Sequence, residues 1–162
     1  MAEEKKMSLA EKLMNIQVEL KAPKGQYNKF NKFNYRSAED ILEALKPYFQ
    51  KYRVFVMVSD QIKVYGEEFL GKNYKDENGN DVAMEARTLR TYVESTATLY
   101  DLDSDEKLCA VAYAREPQTK TGMDAPQITG AASSYAKKYA LNDLFAIDDT
   151  KDPDTNEYHG EN

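Results

Sequence analysis

The sequence contains very few of the residues on which catalytic and metal sites depend. It has one cysteine, Cys109, and one histidine, His159. A lone cysteine cannot form an internal disulfide, and one histidine leaves little from which to build a nucleophile with its base or a zinc site. Because Cys109 lies in the apolar run LCAVAYA, we expect a small buried residue rather than a reactive thiol. The sequence predicts a protein that is not an enzyme and that uses no metal or cofactor.

Long apolar runs and flexible linkers are also missing. No stretch of about 18 apolar residues occurs, and the first residues mix acids with bases, which predicts neither a membrane span nor a secretory signal. No Pro/Gly/Ser-rich linker divides the 162 residues, so we expect one domain over residues 1–147. The expected location is the cytoplasm.

The net charge of −6 is unevenly distributed along the chain. Residues 148–162 contain six acids and one base, and they have almost no apolar residues, which predicts a disordered acidic tail. This tail is interpreted as a solubilising end, as a phosphate mimic that competes for DNA, or as a contact for a replication partner. Residues 21–36, by contrast, contain five bases and no acid. Such a local excess of cations matters more for attracting a polyanion than the net charge does.

Three segments have helical patterns. Ser8 and Ser37 each precede an apolar stripe with 3- and 4-residue spacing, so both are predicted N-caps. Pro23 should end the first helix, and Pro47 is expected to kink or interrupt the second. A third helix is predicted over residues 125–141.

The segments between the second and third helices have strand patterns. Residues 53–59, 61–65, 87–100 and 108–115 are rich in β-branched and aromatic residues or alternate in polarity. The short polar stretch DLDSDEK predicts an antiparallel hairpin, whereas residues 66–82 indicate a mobile loop or the tip of an extended hairpin. Strands grouped between helices favour an α+β domain, with an antiparallel sheet of about 3–5 strands and helices packed on it.

Two motifs suggest other functions but lack the residues those functions need. GEEFLGK, at residues 66–72, has the GxxxxGK skeleton of a phosphate-binding loop, yet Asn73 stands where Ser or Thr would hold magnesium and no helix pattern follows. The DxDxD pattern at 101–105 lacks the glycine and the final glutamate of a calcium loop. We therefore reject ATP binding and calcium binding at these positions.

The segment KGQYNKFNKFNYR, residues 24–36, alternates aromatic rings with cations. Single-strand binding surfaces combine cations for the phosphates with flat rings on which unpaired bases stack. The alternative is a loop whose aromatics, Phe30 and Phe33 among them, pack into the core while its lysines are solvated.

The third helix is a second candidate surface. Tyr135 and Tyr139 are one turn apart and adjoin Lys137 and Lys138. Tyrosines in an apolar stripe are more often core residues than site residues, whereas the two lysines are expected to face water or phosphate.

Two blocks, NYRSAEDILEALKPYF (residues 34–49) and GMDAPQITGAASSYAKKYALNDLFAIDDTKD (residues 122–152), resemble the signature blocks of the ERF (essential recombination function) family of phage annealing proteins. The resemblance extends over most of the chain. It implies a protein that coats single-stranded DNA and pairs complementary strands without ATP in phage recombination and repair. It also implies a fold similar to the core of the eukaryotic annealing proteins.

The resemblance further implies partners and candidate contact residues. The expected partners are single-stranded DNA, further copies of the chain in a ring or filament, and a single-strand-binding protein or phage exonuclease, with no membrane. The matching blocks point to Tyr35, Arg36, Tyr135, Lys137 and Lys138, although relatives often have Arg at the last two positions. The full set of candidate DNA-binding residues is Lys24, Tyr27, Lys29, Phe30, Lys32, Phe33, Tyr35, Arg36, Arg115, Tyr135, Lys137 and Lys138.

Two alternatives to annealing remain open. One is a module that protects or delivers single strands but does not anneal them. The other is a structural protein that assembles through its third helix and has no affinity for DNA.

Overall fold

A computed structural model describes residues 4–147, except for the side chains of Phe33, 68–72 and 83–88. The predicted acidic tail, 148–162, lies outside the described residues. None of the helices within 4–147 is long and apolar enough to cross a membrane.

The described residues contain three helices, each begun by a capping box. Ser8 and Ser37 cap their helices as predicted, and Asp124, which the sequence analysis did not identify as a cap, accepts a hydrogen bond from the backbone N–H of Gln127. The second helix continues past Pro47 instead of being interrupted there. The helices are α1 (Leu9–Glu19), α2 (Ala38–Tyr52) and α3 (Ala125–Phe145).

Five strands form two antiparallel sheets, and the fold is α+β as predicted. A small hairpin pairs β1 (Gln26–Asn28) with β2 (Phe33–Tyr35). The main sheet has the order β3-β4-β5, with β4 in the centre. Its strands are β3 (Val54–Lys75), β4 (Asp81–Asp101) and β5 (Lys107–Glu116).

The β3–β4 hairpin extends well beyond the three-stranded part of the sheet. β5 ends where Glu116 pairs with Thr91, but β3 and β4 continue for nine more pairs, from Glu67↔Leu89 to Lys75↔Asp81. We call this two-stranded extension, residues 67–89, the arm; at strand spacing it is about 30 Å long. Residues 66–82 therefore belong to an extended hairpin and are not a mobile loop. The GEEFLGK motif lies in strand β3 and does not precede a helix.

The core lies between one face of the main sheet and the three helices. We call the face that packs against the helices the covered face; Val93, Ala97 and Leu99 of β4 point into it and are at most 1% exposed. The buried core also contains residues from every helix, namely Leu9, Ile16, Ile41, Leu45, Ala140, Leu141, Leu144 and Phe145.

A buried ion pair connects α1 to the turn between β4 and β5. Lys12 Nζ lies 2.7 Å from Asp101 Oδ1 and 3.0 Å from Asp103 Oδ2, and the side chains of Lys12 and Asp101 are 5% and 3% exposed. Arg53 Nε also contacts Asp103, at 3.0 Å. Burial alone would raise the pKa of Asp101, but hydrogen bonds from Lys12, the Asp103 backbone and Ser104 outweigh it and lower the pKa below 3.8.

This ion pair predicts a specific loss of stability. Asp101→Asn leaves the Lys12 ammonium buried with only Asp103 opposite it, so the free energy of unfolding should fall by about 3 kcal/mol. Because the folded-state pKa of Asp101 is lowered, its contribution is present above the ordinary carboxyl value of 3.8 and is lost as the pH falls through the lowered value. Urea denaturation of both proteins at pH 7 and at low pH measures both effects. A variant as stable as the native chain at pH 7 would contradict the assignment.

Candidate nucleic-acid interface

The aromatic and basic segment forms a small protruding hairpin, which we call the finger (residues 26–35). Its strands pair from Gln26↔Tyr35 to Asn28↔Phe33. The Asn28 side-chain oxygen accepts hydrogen bonds from the backbone N–H groups of Phe30 and Asn31, at 2.9 and 3.2 Å. This local turn explains why an asparagine stands at the start of the loop.

The finger presents Phe30 and Tyr27 to solvent rather than to the core. Phe30, at the tip, is 97% exposed, and Tyr27 is 55% exposed. Lys29 and Lys32 on either side of Phe30 are also exposed. The alternative in which this loop packs into the core is therefore wrong for Phe30 and Tyr27, while the side chain of Phe33 lies outside the description.

Arg36, at the root of the finger, is part of the fold. Its side chain is buried, with the residue 7% exposed, and its Nε donates a hydrogen bond to the Ala22 carbonyl at 2.8 Å. Lys24 and Tyr35 are half-buried nearby in sequence. The place of Arg36 argues against its predicted contact with DNA, because a buried guanidinium that holds the chain leading into the finger has little surface to offer a phosphate.

The candidate residues of α3 divide between core and surface. Tyr139 packs against the core, whereas Tyr135 is 58% exposed, with its ring 6.1 Å from that of Tyr139. Lys138 Nζ lies 5.3 Å from the Tyr139 ring centroid. Lys137 Nζ lies 3.5 Å from Asp60 Oδ2, so this lysine faces a carboxylate on β3. The core interpretation holds for Tyr139 and not for Tyr135.

The sequence analysis did not identify a third surface, the face of the main sheet opposite α3. We call it the open face. On β5 it includes Cys109, Val111, Tyr113 and Arg115, all of them exposed. The expectation that Cys109 is buried is wrong, because its position in the alternation points it away from the helices. Among the candidate DNA-binding residues, Arg115 is the one that lies on this face.

Three tyrosines form a cluster on the open face, at the end nearest the arm. The Tyr65 ring centroid lies 5.5 Å from that of Tyr92 and 6.4 Å from that of Tyr113. The guanidinium of Arg90 lies 5.5 Å from the Tyr92 ring centroid. Hydrogen bonds to Glu94 and then to Tyr65 raise the pKa of Tyr113 to about 12.

The alternation of residues in β4 indicates the open face in the sequence. In RTLRTYVESTATLY the residues that alternate with Val93, Ala97 and Leu99 include Tyr92 and Tyr100, so one face of the strand is apolar and the other carries the rings. Assigning each residue of this strand to a face would have identified the aromatic side. The candidate residues thus fall on three parts of the fold: the finger, α3 and the open face.

Comparison with known proteins identifies the family. The sequence profile of the ERF superfamily matches residues 9–162. The chain belongs to the ERF superfamily. It is 44% identical over 147 residues to the essential recombination function protein of Salmonella phage P22, covering 91% of this chain and 59% of the phage protein. The ERF chain therefore spans about three fifths of the length of this relative.

No solved structure matches the ERF chain. The expected likeness to the eukaryotic annealing proteins therefore stays a prediction. The name of the phage P22 relative assigns that protein a function in recombination.

The finger and its root should respond differently to substitution. Arg36→Met removes a charge-assisted hydrogen bond at a buried site and should lower the free energy of unfolding by about 1.5–3 kcal/mol. Phe30→Ala removes a ring that is 97% exposed and should change it by less than about 0.5 kcal/mol. Equilibrium denaturation of both variants tests this contrast. Equal stability of the Arg36 variant and the native chain would show that the Arg36–Ala22 contact does not hold the finger in place.

Proposed function

We propose that this ERF protein binds single-stranded DNA through the finger and pairs complementary strands without a nucleotide cofactor and without enzymatic chemistry. The observation that carries the proposal is the exposure of Phe30 between two exposed lysines at the tip of a protruding hairpin. Unpaired bases are flat partners for the ring, and their phosphates suit the lysines.

The energetics of annealing fit such a surface. Pairing of complementary strands is exergonic, so a protein needs only to reduce phosphate repulsion and keep the bases unfolded and accessible. For the first task the finger supplies two exposed cations, Lys29 and Lys32, and it contains no acid. Phe30 and Tyr27 supply rings for the second. Membership of a recombination family is consistent with this activity.

A module that protects or delivers single strands without annealing them is the second candidate. The same finger would bind DNA in that case, because binding a strand requires only one such surface. Mixing two complementary oligonucleotides, each already coated with the protein, separates the two functions. Annealing predicts duplex formation faster than that of the bare strands, whereas protection predicts slower formation.

Charge reversal in the finger tests the DNA-binding proposal. Lys29→Glu/Lys32→Glu should weaken binding to oligo-dT strongly and reduce the slope of log K against log salt by about 1.4, because two phosphate contacts to a single strand are lost. Lys46→Glu is the matched control, since Lys46 is an exposed lysine of α2 whose side chain is 64% exposed and lies outside the finger. Fluorescence anisotropy at several salt concentrations measures the slope. If the double variant binds like the control, the finger is not the DNA site.

The proposal also includes assembly of several copies, supported by the arm. A two-stranded hairpin without a packed partner is only marginally stable in water, and within residues 4–147 no third strand pairs with residues 67–89. The arm contains six acids and three bases, which suits a protein partner better than DNA. The rest of residues 4–147 has three more bases than acids. Contact between the arm of one copy and the body of the next is favoured by these charges and leads to a ring or filament.

Removal of the arm tests the assembly proposal. Replacing residues 67–89 by an Asn-Gly turn shortens the hairpin to the part that β5 and α3 support, and the product should be a smaller species than the native assembly. Light scattering coupled to size exclusion measures the mass, and circular dichroism confirms that the body is folded. An assembly of unchanged copy number would contradict a role of the arm.

A further inference from the structure

We propose that the tyrosine cluster of the open face, Tyr65, Tyr92 and Tyr113, is a second stacking site for the bases of single-stranded DNA, separate from the finger. This inference rests on the proposed function, because it assumes that the protein binds single strands. It adds a place on the opposite side of the main sheet from α3. A chain with two such places can hold a strand at one while a second strand is held at the other.

The geometry of the rings distinguishes the two ends of the open face. At the far end, Phe55 and Tyr100 stack on each other, with centroids 4.8 Å apart and planes 10° from parallel. Near the arm, the Tyr65 ring meets those of Tyr92 and Tyr113 at 75° and 71°. Parallel stacking covers one face of both rings, whereas an edge contact covers a face of only one ring of the pair. The rings of the cluster therefore keep surface on which a base can stack, whereas Phe55 and Tyr100 use such surface to stack on each other.

The rings of the cluster are accessible to a ligand. Tyr113, on strand β5, is 49% exposed. Tyr65 is 57% exposed and lies where the register of the sheet shifts between Val64 and Glu67. A bulge at this point increases the local twist and turns the arm relative to the body. The cluster thus lies beside the base of the arm.

Cations surround the cluster, as a polyanion requires. Lys63, Tyr92 and Arg115 are partners on one cross-strand row, which places a positive residue on each side of a ring. Arg90 lies over the same ring. The acid on the next row, Glu94, accepts a hydrogen bond from the Tyr113 hydroxyl, which partly compensates its negative charge. Among the described side chains beside these rings, the cations Lys63, Arg90 and Arg115 outnumber the carboxylate of Glu94, which favours a phosphate backbone there.

The size of the open face favours a strand of DNA over a folded protein. Three strands and ten cross-strand rows make a narrow surface about 14 Å wide and about 33 Å long. A single strand needs only a row of rings and cations, as in other sheet surfaces on which nucleobases stack.

The absence of tryptophan from the sequence allows a direct test. Tyr113→Trp places the only indole of the chain in the cluster, where it can be excited separately from the tyrosines, and a base that stacks on the indole quenches its emission. Phe55→Trp is the matched control, because it lies on the same face at the end where the rings stack on each other. We expect oligo-dT to quench Tyr113→Trp and to leave Phe55→Trp unchanged. An abasic oligonucleotide of equal length, which keeps the phosphates and lacks the bases, should not quench either variant.

Two further variants distinguish stacking from other roles of Tyr113. Tyr113→Leu should weaken binding of oligo-dT by at least about fivefold, the lower end of the effect of losing one base–aromatic stack. Tyr113→Phe, which keeps the ring and loses the hydrogen bond to Glu94, should weaken it less. Equal losses in both variants would assign the effect to the hydrogen bond and overturn the proposal.

The failure of this inference is distinguishable from the failure of the proposed function. One outcome is that the native chain binds oligo-dT, and that oligo-dT quenches Phe30→Trp but not Tyr113→Trp. The finger then binds DNA and the open face does not. If the native chain does not bind oligo-dT at all, the proposed function is wrong. If Tyr113→Leu changes the mass of the assembly and leaves DNA affinity unchanged, a second copy occupies the open face, which also overturns the inference.

Discussion

The close packing of α3 on one side of the main sheet determines which surfaces this ERF protein can offer to a ligand. Ala132 and Ala136 of α3 lie against Val93 of β4, and Ala140 continues the same small-residue stripe into the main core. Small side chains let the helix approach the sheet closely, and Asp60 adds a polar contact by accepting a hydrogen bond from Ser133. With the helices on one face, the aromatic residues Phe55, Tyr92, Tyr100 and Tyr113 of the three-stranded part of the sheet point to the other. The covered face and the open face are therefore two consequences of one alternating pattern.

Charged residues are also distributed unevenly between the parts of the fold. Residues 4–147 contain as many acids as bases, so any affinity for DNA has to come from where the charges lie. Several acids are paired within the fold: Asp101 and Asp103 with Lys12, and Glu19 with Lys51. The finger contains no acid at all. A neutral chain can in this way present positive surfaces to a strand.

The local elements of the fold could be predicted from the sequence, and several of their relationships could not. Ser8 and Ser37 were predictable caps because capping depends on neighbours within one turn. The long arm was ambiguous, because within residues 4–147 its two strands pair only with each other and the sequence from Lys72 to Asp81 is polar. Arg36 could not be distinguished from a surface cation, since its partner, the Ala22 carbonyl, is a backbone atom 14 residues away. Cys109 was misassigned because an apolar run was treated as buried on both faces, although alternate residues of an edge strand can face solvent.

The claim at the centre of this account is that DNA contacts the finger and the open face rather than the helical side of the protein. Photocrosslinking of the full chain to oligo-dT, with the attached peptides identified by mass spectrometry, tests it most directly. The account predicts crosslinks at Phe30 or Tyr27 in the finger and at Tyr65, Tyr92 or Tyr113 on the open face. Crosslinks confined to α1, α2 or the outer surface of α3 would contradict it.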